Sequence, residues 1–330
     1  ITGLDRENAD FDKTLDAVQA SFGAECVPVV LPTSDATGVV DVLGAKTIPD
    51  GLTARVEEIK GSLVEKAAET DDTLIEKFLG GEDLSPEEVA NGLREAVATG
   101  GLVPVFVCMS LKDIGIDEFL DGAARLFPSP ADKPARDADG EEISTDPSAP
   151  FVGFVWRSVN DPFVGQLTFV RVLGGTLSAD AEIHNTQKDQ KERVGSLLIV
   201  NGKKQDSVES ATAGDIVALP KLKVTSLGDT LAAAGVSVVC PPIDFPNPVM
   251  FQSVQAKTQA DEDKIGTALQ RVAEEDPTLQ VTRNTETHEM ILGGLGAVRI
   301  DVAVARMMSR SNGEVVLDTP KVPYRETATT

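Results

Sequence analysis

Around residue 150 the spacing of apolar residues changes from three or four to two, and one packing layer cannot satisfy both periods. Upstream the pattern is helical. Phe11, Leu15, Val18 and Phe22 form a stripe over residues 9–23 that Gly23 can end. Between 49 and 100 three helices are predicted. Leu52, Val56, Ile59 and Leu63 line the first; Leu74, Ile75, Phe78 and Leu79 line the second, stopped by Gly80-Gly81. The third opens on Ser85-Pro86-Glu87-Glu88, a Ser cap with Pro at the first helical position and Glu three residues after the cap. CVPVVLP and LVPVFVCMS (102–110) read as strands, the latter covered on both faces. The next helix is expected to carry Ile116, Phe119, Leu120, Ala123 and Phe127 inward until PSP (128–130) halts it.

Residues 128–150 are rich in Pro, Asp, Ser and Glu and poor in large apolar side chains, so 131–150 reads as a weakly ordered linker. From 151 short alternating runs (FVGFVWRSV, QLTFVRVLGGTL, AEIHNT, KERVGSLLIV, DIVALP, DTLAAAG) separated by Gly, Asp and Asn turns predict an all-β barrel or sandwich over 151–240. PPIDFPNP (241–248) is a second linker. Residues 249–330 then read strand, helix (260–275), strand, strand, helix (297–310), strand, the ferredoxin-like βαββαβ order. A chain of 330 residues exceeds what one core usually organises, and two or three domains fit it better.

Charge divides along the same line: 12 basic against 31 acidic residues in 1–150, and 18 against 22 in 151–330. Phosphate backbones would be repelled by the first half, so any nucleic-acid contact belongs after residue 150. Most of the acidic residues, Glu57-Glu58, Asp71-Asp72 and Glu87-Glu88 among them, fit solvated helix faces. Cys26, Cys108 and Cys240 are odd in number and far apart, which argues against a disulfide framework and makes the cytoplasm the default compartment. His184 and His288 lie near no cysteine, so no metal site is expected. No apolar run approaches the roughly 18 residues that span a bilayer. No grouping of His, Cys, Ser or paired carboxylates supports a metabolic enzyme.

An α/β region, a β-barrel and a ferredoxin-like unit, in that order, carry the strings DPFVGQLTFVRVLGGTL (161–177), KERVGSLLIV (191–200), AGDIVALPKLKVTSLGDTL (213–231), FPNPV (245–249), AEEDPTLQV (273–281) and PKVPYRET (320–327). With LFPSP (126–130) and the helix-rich 49–100 region, they make the chain resemble translation elongation factor G along essentially its whole length. The resemblance implies a multidomain α/β and β protein. Residues 1–130 would be the C-terminal part of a P-loop GTPase domain with its inserted α/β subdomain, 151–240 the translation-factor barrel and 249–330 the third domain.

The resemblance further implies that ITGLD stands at the guanine-reading loop, with Thr2 for Asn, Gly3 for Lys and Asp5 kept. Asp5 would accept hydrogen bonds from the guanine edge, and the turn Cys108-Met109-Ser110-Leu111-Lys112 would face the base oxygen through Ser110. The chain would then begin partway through a GTPase domain. No GxxxxGK[ST] occurs, so GTP or GDP with magnesium is expected in a full-length parent and not in these residues. GGLG and GLGAVR read as a turn with close helix packing. Where the family shows Gly-Glu-Leu-His, this chain has Gly296-Ala297-Val298-Arg299, which points to a paralogue of the elongation factor G-like type.

Ribosome binding is the implied function, in a translocation-type step. A monomer would dock its barrel on small-subunit ribosomal RNA and present the acidic subdomain to stalk proteins. Lys188, Lys191, Arg193, Lys203 and Lys204, in and around one predicted strand, are the candidate phosphate contacts, against the alternative of a solvated basic hairpin. Two other readings stay open: a nucleotide-free ribosome-associated interaction protein with a degenerate GTPase domain, and a ribosome-protection type relative. With one Trp and one Tyr, base stacking is not the expected mechanism.

Overall fold

The computed structural model describes residues 1–161, 164–257, 262–311 and 313–324. Pro162-Phe163 of the DPFVG string, the expected helix start at 260–261 and residues 325–327 of PKVPYRET lie outside the described residues. The chain forms two compact units, Ile1–Lys133 and Pro134–Thr330.

In the first unit α1 (Phe11–Phe22) is capped by Asp10, whose carboxylate accepts from the Lys13 amide, and buries Phe11 and Leu15 before Gly23 turns the chain at φ 109°. Then come β1 (Cys26–Pro28), β2 (Val30–Pro32), β3 (Val39–Asp41), α2 (Thr53–Ala68), α3 (Asp72–Leu79), α4 (Pro86–Thr99), β4 (Val103–Val105) and α5 (Ile116–Leu126). The expected long strands are short because the chain changes partner at Val29, whose amide donates to Val105 at 2.9 Å while its carbonyl accepts from Val42 at 3.0 Å. CVPVVLP therefore gives two strands, one paired with β4 and one with β3, and only Val103–Val105 of LVPVFVCMS joins a ladder, parallel to β1. Val103 is 44% exposed, contrary to a strand covered on both faces.

Leu31, Leu63, Leu93, Leu102, Val107 and Leu126 anchor one core. The stripe of α3 stays out of it, with no buried residue and Leu79 77% exposed, because α2 and α4 already pack against each other. The inward face of α5 also differs from expectation. Gly122 and Leu126 are buried while Phe119, Leu120 and Phe127 are not. The Phe106 ring lies on Gly122, leaving Phe119 and Phe127 edge-on to it at 5.2 and 6.3 Å.

The Ser85 cap forms as the sequence implies. Its hydroxyl accepts from the Glu88 amide, the Glu88 carboxylate accepts from the Ser85 amide, and Lys77 pairs with Glu88. The Lys77 and Ser85 contacts hold the Glu88 carboxyl down at about 2. Ser85→Ala is expected to cost about 1 kcal/mol, read as a lower urea midpoint of the helical circular-dichroism signal; an unchanged midpoint would exclude the cap as a stabilising element.

The second unit starts in the stretch expected to be a weakly ordered linker, which instead packs. The Ile143 amide donates to Ala135, Ala138 donates to Val239, and Ile143 is buried with Val152 and Cys240. One large apolar side chain suffices to anchor it because the barrel edge supplies the rest of the cluster.

The strands that follow are β5 (Val152–Asp161), β6 (Gly165–Gly174), β7 (Thr176–Ser178), β8 (Glu182–Asn185), β9 (Gln190–Arg193), β10 (Leu197–Asn201), β11 (Lys204–Val208), β12 (Ser210–Thr212), β13 (Ile216–Pro220) and β14 (Thr230–Ala233). Eight of them form one sheet in the order β11-β10-β13-β6-β5-β14-β8-β9. Only residues 194–196 connect β9 to β10, six strands away in that order. A flat sheet would separate those strands by about 29 Å, whereas the connection reaches at most about 15 Å. The sheet therefore curls into a barrel, around Val155, Val170, Val172, Leu197, Val217 and Leu231. The β7–β12 ribbon adds Leu177 and Ala211 to that core.

Residues 241–248 carry no regular structure and lead into β15 (Met250–Ala256), α6 (Glu262–Glu275), β16 (Gln280–Arg283), β17 (Met290–Gly294), α7 (Ala297–Ser311) and β18 (Val315–Asp318). The sheet order β16-β17-β15-β18, all antiparallel, is the ferredoxin-like arrangement. Ile265, Leu269, Ile300 and Met307 pack the helices against it.

Candidate nucleotide and nucleic-acid interface

Thr2 bridges Cys108 in parallel, and the Cys108 amide donates to Ile1 at 3.0 Å. This pairing places the two loops expected to read guanine side by side at the ends of neighbouring strand segments. Asp5 has a side chain 15% exposed, 3.8 Å from the Lys112 ammonium. Ser110 is exposed and opens a single 3-10 turn, Ser110–Lys112, while Met109 beneath it is fully buried. For the phosphate end of a nucleotide these residues offer no glycine-rich loop with a following Lys. Among the described residues no cluster of His, Cys, Asp or Glu suits a metal ion.

The five candidate phosphate contacts do not gather on one strand. Lys191 and Arg193 lie on β9 with Lys188 in the turn before it; Lys203 and Lys204 belong to the β10–β11 hairpin. Most already have carboxylate partners. Lys188 pairs with Asp229 at 2.8 Å and donates to the Val224 carbonyl and the Ser226 hydroxyl, so it braces the 224–229 loop. Lys191 pairs with Glu182 at 2.7 Å, Arg193 with Asp180 at 3.6 Å and Lys204 with Asp206 at 2.8 Å. Lys203 is exposed.

The same region contains an anion cradle that sequence reading missed. The Glu192 carboxylate accepts from the amides of Val224 at 3.0 Å and Thr225 at 3.1 Å, from the Lys223 amide and from the Thr225 hydroxyl. Burial opposes its ionisation, but these donors outweigh that effect and hold the carboxyl below the ordinary glutamate value. Glu192 lies inside KERVGSLLIV, one of the strings that carry the family resemblance; its partners lie more than 30 residues downstream, and no local pattern announces them.

A second missed residue joins the barrel to the ferredoxin-like domain. Glu275, at the end of α6 with a side chain 8% exposed, accepts from the Asn160 amide of β5 at 2.6 Å and pairs with Arg310 of α7. Beside this joint lies a cavity of about 1120 Å³ bordered by Gln166, Lys264, Arg271 and Arg310. One residue on, burial works against the Asp276 charge, but the Thr278 and Arg299 contacts prevail and keep its carboxyl below the usual aspartate range. Arg299 is therefore an ion-pair partner of the residue that follows α6.

Residues 150–234 match the family described as elongation factor G domain 2, and residues 245–319 match elongation factor G, domain III. A crystal structure of a protein from Thermus thermophilus superposes with a TM-score of 0.82 at 27% identity, covering 98% of this chain and 49% of that one. The chain spans about half the length of that protein. The barrel and the βαββαβ domain thus match consecutive elongation factor G domains, and the chain is elongation factor G-like.

Proposed function

We propose that this chain serves protein synthesis as the ribosome-docking and relay portion of an elongation factor G-like translational GTPase. The observation that carries the reading is the succession of an elongation factor G domain 2 and domain III, on a barrel and a ferredoxin-like sandwich joined through Glu275. In this reading the barrel contacts small-subunit ribosomal RNA, the ferredoxin-like domain relays movement, the acidic first unit meets stalk proteins, and the compartment is the cytoplasm. Guanine would lie between Asp5 and Ser110, and the phosphate grip and magnesium ligands would come from residues outside these 330. The hairpin cations Lys188, Lys191, Arg193 and Lys204 would reach phosphates only by exchanging their carboxylate partners; Lys203, with no carboxylate in ion-pair range among the described residues, has no such exchange to make.

Pelleting with small ribosomal subunits over a salt series tests the docking step. Binding should weaken linearly on a log–log salt plot, by about one power of salt per phosphate contact. Salt-independent binding, or none at low salt, would refute it. Thr2 and Gly3 in place of Asn and Lys favour a second reading, a nucleotide-free ribosome-associated protein. The two readings separate on a longer gene product: micromolar binding of fluorescent GTP supports the first, and ribosome binding without it the second.

A further inference from the structure

Four of the five hairpin cations are spent on carboxylates, but two arginines on the barrel exterior are not. On β5 and β6 the ladder pairs Val155 with Val170 and Arg157 with Phe169, leaving Trp156 as the extra residue of a bulge. The bulge turns both Trp156 and Arg157 outward. Trp156 is 39% exposed, its ring centroid 5.8 Å from that of Phe169 at a 60° tilt, and the Arg157 guanidinium stands 5.9 Å over Phe169. Arg171 follows Phe169 by two positions on the same face of β6 and is exposed, as is Ile216 opposite it. Among the described residues neither Arg157 nor Arg171 has a carboxylate within ion-pair distance.

We propose that this face is a single-stranded RNA site, in which an unpaired base stacks on Trp156 while Arg157 and Arg171 neutralise the flanking phosphates. Guanidiniums without carboxylate partners select an anionic partner, and an exposed indole braced by a second ring selects one with planar faces; RNA supplies both along one strand. The stacking platform overrides the expectation from composition, since one Trp suffices when a bulge presents it. This inference rests on the RNA-docking reading above and gives that reading its contact point.

Because Trp156 is the sole tryptophan, its emission reports the site directly. Titration with an unstructured RNA of roughly 12 nucleotides should quench it saturably. Arg157→Gln with Arg171→Gln should lower the salt slope by about 1.4, and Trp156→Ala should weaken binding of end-labelled RNA about tenfold or more. Lys46→Gln with Lys60→Gln, two exposed lysines of the first unit, should change neither. Both arginines are exposed, so the double variant keeps the fold even where Trp156→Ala does not. Unchanged emission, an unchanged slope in the arginine variant, or tighter quenching by an acidic peptide than by RNA would overturn the proposal. Subunits that pellet while the RNA oligomer leaves Trp156 unaffected would overturn this site and keep the docking reading; the reverse pattern would keep the site and remove the ribosome.

Discussion

Gly92→Ala is expected to lower the stability of the Ile1–Lys133 unit by about 3 kcal/mol, although alanine is the better helix former. A methyl group at Gly92 would stand 2.5 Å from the Ala67 carbonyl oxygen and 2.9 Å from both the Cα and the Cβ of Ala67. Those are mainly backbone atoms of α2, and they cannot move without shifting the helix. The α2–α4 contact is closed by Leu63, Ala67, Leu93 and Ala96, all nearly inaccessible, so separating the helices opens the middle of the core.

Gly61, also on α2, is the opposite case. Nothing lies within 4 Å of the added methyl, and Gly61→Ala should stabilise by up to about 1 kcal/mol through helix propensity alone. Urea titration of the helical circular-dichroism signal measures both. Equal shifts of the same sign at the two positions would show that close approach at Gly92 does not govern this core.

Glu192→Ala should cost the barrel about 2–3 kcal/mol, because it strips the acceptor from three amides and a hydroxyl in the 223–225 loop. Trp156 fluorescence follows the barrel's unfolding separately from the helices of the first unit. The effect should depend on pH in a definite direction. The folded-state pKa of Glu192 is depressed, so its stabilisation is complete above the unfolded glutamate value of roughly 4.3 and is lost as pH falls through the lower folded value. Wild type and Glu192→Gln should therefore differ most near neutrality and converge in acid. A gap that stays constant from neutral to strongly acidic pH would mean that the Glu192 charge contributes nothing to the cradle.

What was legible in the sequence depended on how far apart the interacting residues lie. The Ser85–Glu88 cap, the stop at Gly23, the period-two strands and the βαββαβ order each rest on neighbours within a few positions, and all appear in the structure. Errors arose where packing chose among apolar residues. On α5 the Phe106 ring selected Gly122 over Phe119 and Leu120, and on α3 an apolar stripe was left outside a core already closed by α2 and α4.

By itself the sequence determined three kinds of folding unit, their order, their acidic and near-neutral halves, and the strings that mark elongation factor G-like domains. Only the tertiary structure decided which charges are matched. Lys188 meets Asp229, Glu192 meets the 223–225 amides and Glu275 meets Asn160 across separations of roughly 30 to more than 100 residues, while Arg157 and Arg171 are left without carboxylates among the described residues. Periodicity and capping are local consequences of backbone geometry, but ion pairing requires that closure of the barrel first bring distant side chains within a few ångströms.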